Sequence, residues 1–164
     1  MPPKRSYWLV KSEPDEFSYA DLVAARGSTT LWDGVRNYQA RNTLRDDMKR
    51  GDLVLYYHSN TKPPGVAGVA EVVREGYPDP TQFDPKDSHF DAGSDEADPR
   101  WFAVDLKARA ELDAYVSISD LKANPNLSEM AVVQRGQRLS VQPVTASEFR
   151  EVVKMGGLKA ADLR

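Results

Sequence analysis

The sequence predicts an α+β protein: a small curved sheet, or partly closed barrel, of at least five short strands with short helices between them. Three observations lead to this prediction. The chain has 164 residues, which fits a single domain spanning 1–164. Residues 102–113 alternate apolar and polar side chains, which is typical of a strand with one buried face. The helical segments are too short and too few for a doubly wound parallel sheet.

The predicted strands are short apolar segments bounded by turn residues. Gly68 lies inside one of them, which predicts a bulge at that point. The strands are predicted at residues 7–10, 29–32, 53–57, 66–74, 102–113 and 138–142.

Two of the predicted helices begin with a capping box, in which a hydroxyl side chain and an acidic side chain three residues later bond each other's backbone amides. These pairs are Ser18 with Asp21 and Thr145 with Glu148. Glycine near the end of a segment indicates where a helix stops. The helices are predicted at residues 18–27, 39–50, 117–123, 128–134 and 145–156.

The composition excludes several classes of protein. The chain contains no cysteine, which rules out a disulfide framework, a thiolate metal site and a cysteine nucleophile, and which fits a reducing compartment. Only four apolar residues, 7–10, follow the basic start, and no apolar run approaches the length of a membrane span. We therefore expect no membrane partner and a cytoplasmic location, or a nuclear one if the source is a eukaryote.

Charge is distributed unevenly along the chain. The net charge is −3, but residues 79–98 contain seven acidic residues and one lysine, so the rest of the chain sums to +3. Residues 26–50 contain six basic and three acidic residues, and Arg135 and Arg138 lie in a second basic stretch. Such a surface could offer a basic face to phosphates, with the acidic loop facing away. The alternative is that both stretches are ordinary solvated surface.

Common catalytic and cofactor motifs are missing from the sequence. It has no glycine-rich phosphate loop and no Gly-x-Ser-x-Gly elbow. Its two histidines, His58 and His89, lie thirty-one residues apart and do not have the spacing of metal ligands. The sequence therefore predicts no cofactor, no metal and no catalytic residues.

Residues 31–42 combine two aromatic side chains, two arginines and two asparagines around a glycine turn. Trp32 lies at a strand end, where its ring could stack on a base, a contact worth about 1–3 kcal/mol. Arg36 and Arg41 could reach phosphates, and Asn37 could bond a base edge with one donor and one acceptor. The alternative is that Trp32 packs as a half-buried core residue while the arginines lie along a solvated helix.

A second set of candidates lies where the first strand ends. Lys11, Ser12 and Glu13 bring together a cation, a hydroxyl and a carboxylate, although turn chemistry also explains them. Further candidates for a pocket wall, each also explained by packing, are Tyr57, His58 and Trp101.

Several segments together resemble the EVE domain, and in particular its bacterial-type members. The similarity covers about residues 5–154 in the same order, and the string 32–42 is its most specific part. It implies a PUA-like pseudo-barrel with peripheral helices, related to the YTH domains that bind methylated adenine in RNA. EVE domains are regarded as readers of modified bases, often of modified cytosine in DNA. The segments are 11–14, 32–42, 51–59, 68–72, 77–84 and 134–144.

The resemblance also implies which residues form the site. Those implied to hold the base are Ser12, through its backbone amide, Trp32, Asn37 and Tyr38. Those implied to contact the nucleic-acid backbone or to form a basic rim are Lys11, Arg36, Arg41, Arg135 and Arg138.

The leading hypothesis is a binding module that holds a methylated or hydroxymethylated cytosine or adenine of DNA or RNA in an aromatic pocket. One alternative is an enzyme acting on modified nucleosides, with Glu13 or His58 as the general acid or base. Another is a small-molecule or protein-interaction module that contacts a protein partner through the acidic loop, residues 79–98.

Overall fold

The computed structural model describes residues 5–136 and 138–163. These residues form a mixed α+β domain, as predicted. The strands are β1 (Tyr7–Ser12), β2 (Thr29–Trp32), β3 (Leu53–His58), β4 (Gly65–Pro78), β5 (Phe102–Ser117) and β6 (Val141–Val144). The α-helices are α1 (Pro14–Phe17), α2 (Tyr19–Ala24), α3 (Tyr38–Asn42), α4 (Ile118–Ala123) and α5 (Ala146–Met155).

The strands form one sheet in the order β2-β5-β4-β3-β1-β6. β1 and β3 are parallel, and the other pairs are antiparallel. β4 and β5, with 14 and 16 residues, are much longer than the other strands. Their pairing shifts register at four points, and such bulges let a long hairpin bend.

The sheet curls onto itself, which gives the predicted barrel-like shape. The ring centroids of Trp32 on β2 and Tyr56 on β3 are 5.5 Å apart, although β5 and β4 lie between these strands in the sheet. In a flat sheet three strand spacings would separate them by roughly 14 Å. The curl therefore brings the end of β2 next to the ends of β3 and β1.

Apolar side chains cover both faces of the central strands. Leu9 and Leu55 point to one face, where they pack in a cluster with Phe149 of α5. Val10 and Tyr56, one residue further along each strand, belong to a second cluster with the side chains of α2 and α3. This alternation follows from the two-residue period of a strand.

The bulge predicted near Gly68 is confirmed, and Tyr19 explains it. The pairing of β3 with β4 shifts between Tyr56 and Tyr57, opposite Gly68. A Cβ atom on Gly68 would lie 2.4 Å from Cζ of Tyr19, whose hydroxyl donates a 2.8 Å hydrogen bond to the carbonyl of Val69. Burial raises the pKa of Tyr19 to about 12. The missing side chain at Gly68 thus makes room for a buried tyrosine.

Both predicted capping boxes are present, at Ser18–Asp21 and Thr145–Glu148. The helix bounds were predicted less well. α2 ends at Ala24 and is followed by a 3-10 turn, Arg26–Ser28, instead of running to Gly27.

The long helix predicted at 39–50 is wrong beyond its first turns. α3 ends at Asn42, and the chain continues as a π-helical turn, Thr43–Asp47, with Leu44 fully buried. The amide of Met48, which is also fully buried, donates to the carbonyl of Thr43, five residues earlier. Packing of these two side chains in the core overrides the local preference for a continuous α-helix.

The helix predicted at 128–134 is also wrong. Only a 3-10 turn, Ala131–Val133, lies within it, and another, Pro125–Leu127, precedes it; these turns bury Val132 and Leu127. The last strand covers Val141–Val144 and not 138–142. Among the described residues, no helix is long and apolar enough to cross a membrane.

We expect Gly68→Ala to destabilise the fold by about 1–3 kcal/mol, because the added methyl group must displace the Tyr19 ring. Urea unfolding of the wild type, Gly68→Ala, Tyr19→Leu and the double variant would measure this as a double-mutant cycle. In the Tyr19→Leu background, Gly68→Ala should be nearly neutral. Equal effects in both backgrounds would show that the ring is not what excludes a side chain at Gly68.

Candidate nucleic-acid interface

A cavity of about 1290 Å³ lies where the curl brings the ends of β1 and β2 together. Six of the predicted site residues line it: Lys11, Ser12, Glu13, Trp32, Arg36 and Arg138. Seven others lie outside its lining: Asn37, Tyr38, Arg41, Tyr57, His58, Trp101 and Arg135.

Trp32 packs as a half-buried residue against the core and also lines the cavity. Its ring packs at 81° to the ring of Tyr56, with centroids 5.5 Å apart, so part of the indole belongs to the core. The residue is only half-buried, and it also lines the cavity. Since Tyr56 holds the indole, the remaining surface of Trp32 is a rigid aromatic wall.

The end of β1 forms a second wall. The hydroxyl of Ser12 donates a 2.7 Å hydrogen bond to the carbonyl of Phe17, so only its lone pairs remain available to a ligand. Burial lowers the pKa of Lys11, whose ammonium lies 5.9 Å from the ring centroid of Tyr57. Glu13 is exposed and accepts a 3.3 Å hydrogen bond from Asn60.

Arg36 anchors the wall next to Trp32. Its guanidinium donates to the carboxylate of Asp79 at 3.0 Å, to the hydroxyl of Thr81 at 3.2 Å, and to the backbone carbonyls of Val35 and His89. Nε of Arg36 also donates to the carbonyl of His89, which makes five donated hydrogen bonds in total. A guanidinium has five N–H groups, so all of its donors are used. A phosphate contact by Arg36 would require one of these bonds to break.

Asp79 is the partner at the centre of this network. Its side chain is fully buried and accepts hydrogen bonds from Arg36, from the amide of Gly34 at 2.8 Å, and from the amide and hydroxyl of Thr81. Burial alone would raise the pKa of Asp79, but the hydrogen bonds from Thr81, Gly34 and Arg36 outweigh it and hold the pKa below its usual value. The carboxylate is therefore charged and fixed at neutral pH.

The loop after β4 owes its shape to its aspartates. In five positions an Asp carboxylate accepts a hydrogen bond from the backbone amide two residues later, which is an Asx turn. This regular use of aspartate explains most of the acidic run as turn chemistry. The donor–acceptor pairs are Thr81 to Asp79, Lys86 to Asp84, His89 to Asp87, Gly93 to Asp91 and Ala97 to Asp95.

His89 is the residue of this loop that lines the cavity. Its ring packs against Gly34, where a Cβ atom would lie 2.6 Å from Nε2 of His89 and where φ is +77°. Glycine therefore meets two requirements at position 34, a left-handed backbone and close contact with the ring. Nδ1 of His89 lies 3.2 Å from the carboxylate of Asp87.

Tyr38 and Trp101 stack outside the cavity lining. Their ring centroids are 5.0 Å apart, with Arg41 4.9 Å from the Tyr38 ring and Arg36 5.3 Å from the Trp101 ring. The indole nitrogen of Trp101 donates to Asp91 at 2.7 Å. The stack fixes the start of α3 against the loop, and Tyr38 remains 54% exposed.

The other predicted residues outside the lining have different surroundings. Asn37 caps α3, since its side chain accepts the amide of Ala40 at 3.0 Å. Tyr57 is buried in the core. Nε2 of His58 accepts the amide of Tyr19, and burial lowers the pKa of His58, so this nitrogen is unprotonated. Arg135 is exposed in a turn.

Asp33 and His89 are among the cavity residues that sequence reasoning missed. Asp33 could have been found, because it directly follows Trp32 in the most specific motif. Burial, and next the charge of Asp79, raise the pKa of Asp33. His89 gave no signal, since only the Asx turns bring it to Gly34. In the described part of the chain, no group of three or more acidic or histidine residues could hold a metal ion.

A curled sheet of six strands, with an aromatic-walled cavity at the ends of β1 and β2, defines a PUA-like domain. Residues 6–155 match the family model of the EVE domain. The chain belongs to the EVE domain family, as its motifs indicated.

Its relatives agree with this assignment. The chain is 42% identical over 167 residues to thymocyte nuclear protein 1 of Homo sapiens. The aligned region covers 92% of this chain and 73% of the relative. A solved structure of a protein from Leishmania major superposes with a TM-score of 0.87 at 46% identity, covering 94% of this chain and 96% of that one. The crystal structure of human THYN1 in complex with DNA containing 5-methylcytosine superposes with a TM-score of 0.86 at 42% identity. The superposition covers 92% of this chain and 97% of that one.

We expect Asp79→Asn to destabilise the protein by about 2–3 kcal/mol at pH 7, because a neutral amide cannot compensate the charge of Arg36. The folded-state pKa of Asp79 is depressed, so its contribution is complete above the unfolded value of about 3.9 and is lost as the pH falls through the folded value. The difference in the free energy of unfolding between Asp79→Asn and the wild type, measured with urea, should therefore become smaller below about pH 4.

The matched control is Asp95→Asn, which changes an exposed aspartate of the same turn type. It should alter the free energy of unfolding by less than about 0.5 kcal/mol. Similar effects of the two substitutions would mean that Asp79 contributes only as a turn residue.

Proposed function

We propose that this protein binds DNA and holds a modified base, 5-methylcytosine, in the cavity beside Trp32. The observation that carries the proposal is the position of Trp32 as a rigid wall of that cavity, in a chain 42% identical to human THYN1. The DNA in the structure of that relative contains 5-methylcytosine.

The size of the cavity supports a nucleotide as the ligand. Its volume of about 1290 Å³ exceeds the roughly 300–1,000 Å³ of typical small-molecule pockets. A base together with its sugar and phosphate would make fuller use of this space than a free base. This favours a base that enters while attached to its strand.

A base can enter the cavity from a duplex only after it leaves the base stack, at a cost of a few kcal/mol. Stacking on Trp32 would recover about 1–3 kcal/mol of this, and edge hydrogen bonds and phosphate contacts must supply the remainder. The 5-methyl group adds apolar surface to the stacked base and so favours the modified form.

Charges in the cavity wall are balanced. Three cations, Lys11, Arg36 and Arg138, and three carboxylates, Glu13, Glu16 and Asp33, line the cavity. We assign the phosphate contact to Arg138, because the donors of Arg36 are already used, and we expect Lys11 to add positive charge to the same wall. Arg135 is exposed three residues before Arg138, and we propose that it extends the same basic rim.

The geometry favours binding over catalysis. Glu13 lines the cavity but His58 does not, and Nε2 of His58 already accepts a hydrogen bond from the backbone amide of Tyr19. Of the two alternative acid–base residues, only Glu13 therefore lies where a ligand in the cavity could reach it. The acidic loop is held by its own Asx turns, which favours a structural role for its aspartates.

Trp32→Ala should weaken binding to DNA containing one 5-methylcytosine by about 10- to 100-fold, because the stacking surface is lost. Fluorescence anisotropy with labelled single- and double-stranded DNA, carrying either cytosine or 5-methylcytosine, would measure this. Phe90→Ala is the matched control, since Phe90 is 40% exposed and lies outside the cavity lining. Equal thermal midpoints would show that both variants are folded.

The wild type should prefer the modified strand, and Trp32→Ala should lose that preference while Phe90→Ala keeps it. Equal binding of modified and unmodified DNA by the wild type would refute the proposal. A preference for matched RNA carrying 5-methylcytosine would instead place the ligand in RNA.

Arg138→Ala should weaken binding to modified and unmodified DNA by the same factor, because a phosphate contact carries no base information. It should also reduce the slope of log affinity against log salt by about 1. Titrations at several salt concentrations would test this. A loss confined to modified DNA would assign Arg138 to the base instead.

A further inference from the structure

We infer that Asp33 is a specificity-determining residue that distinguishes 5-methylcytosine from thymine. The inference rests on the proposed function, since it assigns a role within the same cavity. Asp33 follows Trp32 directly and lines the cavity with it. A base stacked on the indole therefore has its edge within reach of the next side chain.

The carboxylate of Asp33 lacks a partner from the rest of the described chain. Only the backbone amide of Asp33 itself donates to it. This contrasts with Asp79 and Asp91, whose carboxylates each accept a side-chain N–H and a backbone amide. The lone pairs of this half-buried carboxylate can therefore accept hydrogen bonds from a ligand in the cavity.

The surroundings of Asp33 favour a ligand that donates a hydrogen bond. Burial raises the pKa of its carboxyl group, and the negative charges of Asp79 and Asp87 raise it further, while His89 opposes them. The charged form is therefore less stable than it would be in water. An N–H donor would stabilise it, whereas a carbonyl oxygen would be repelled.

Cytosine and thymine differ in the groups that meet such a carboxylate. 5-Methylcytosine and thymine carry the same 5-methyl group and offer similar faces for stacking, so Trp32 cannot separate them. Cytosine presents an exocyclic N4 amine, which donates to Asp, whereas thymine presents the O4 acceptor at the same place. A carboxylate at this position accepts the first base and rejects the second.

An amide would lose this discrimination. Asparagine offers one donor and one acceptor, so it can pair with the edge of either base. Asp33→Asn should therefore bind thymine about as well as 5-methylcytosine. Asp15→Asn is the matched control, because it makes the same change at an exposed aspartate outside the cavity lining.

The test is a competition anisotropy measurement with three duplexes that carry 5-methylcytosine, cytosine or thymine at one position. An abasic site lies opposite that position, so no base loses a Watson–Crick partner on leaving the duplex. The wild type and Asp15→Asn should prefer 5-methylcytosine to thymine by about tenfold or more. In Asp33→Asn the ratio should fall below about threefold, with most of the affinity for 5-methylcytosine retained.

Two failures are distinguishable in this experiment. If the wild type prefers 5-methylcytosine to cytosine but binds thymine equally well, or if Asp33→Asn keeps the wild-type ratio, the role of Asp33 is refuted and the binding proposal stands. If the wild type does not distinguish 5-methylcytosine from cytosine, both are refuted. Asp33→Ala, which leaves no hydrogen-bonding group, should lose affinity for 5-methylcytosine and gain none for thymine specifically.

Discussion

The ion pair between Arg36 and Asp79 joins three parts of the chain that lie far apart in sequence. Asp79 accepts the amide of Gly34 as well as the guanidinium, and Arg36 in turn donates twice to the carbonyl of His89. The turn after β2, the start of the acidic loop and its middle are thereby fixed to one another. Since Gly34, Arg36 and His89 all line the cavity, its wall depends on this one buried carboxylate.

The curl of the sheet complements this network. It brings Trp32 to Tyr56 across two intervening strands, so the indole is held from behind by the core. The ion pair fixes the residues that follow Trp32, and the core fixes Trp32 itself. A stacking surface held in this way loses little conformational entropy when a base binds.

The sequence predicts the fold better than the site. All six strands were predicted, because period-two alternation and short apolar runs are local signals. The capping boxes at Ser18 and Thr145 were also predicted, since each lies within four residues. The helix at 128–134 and the second half of the one at 39–50 were wrong, because buried side chains such as Leu44 and Val132 decided those backbones.

In the site, local motifs predicted which segments line the cavity but not how their side chains are used. The positive charge of Arg36 suggested a phosphate contact, yet its five donors are committed to Asp79 and other acceptors within the protein. The approach of His89 to Gly34 depends on a loop that the chain builds with successive Asx turns. Contacts of this kind, across more than fifty residues, leave no pattern in a single sequence.

The three tryptophans allow the central claim to be tested in one measurement, an ¹H–¹⁵N NMR titration of the wild type with DNA containing 5-methylcytosine. The indole N–H groups of Trp8 and Trp101 donate to the carboxylates of Asp52 and Asp91, outside the cavity lining, and serve as internal controls. We expect the indole signal of Trp32 to shift with DNA concentration while the signals of Trp8 and Trp101 stay in place. A titration in which DNA binds without moving the Trp32 signal would contradict it.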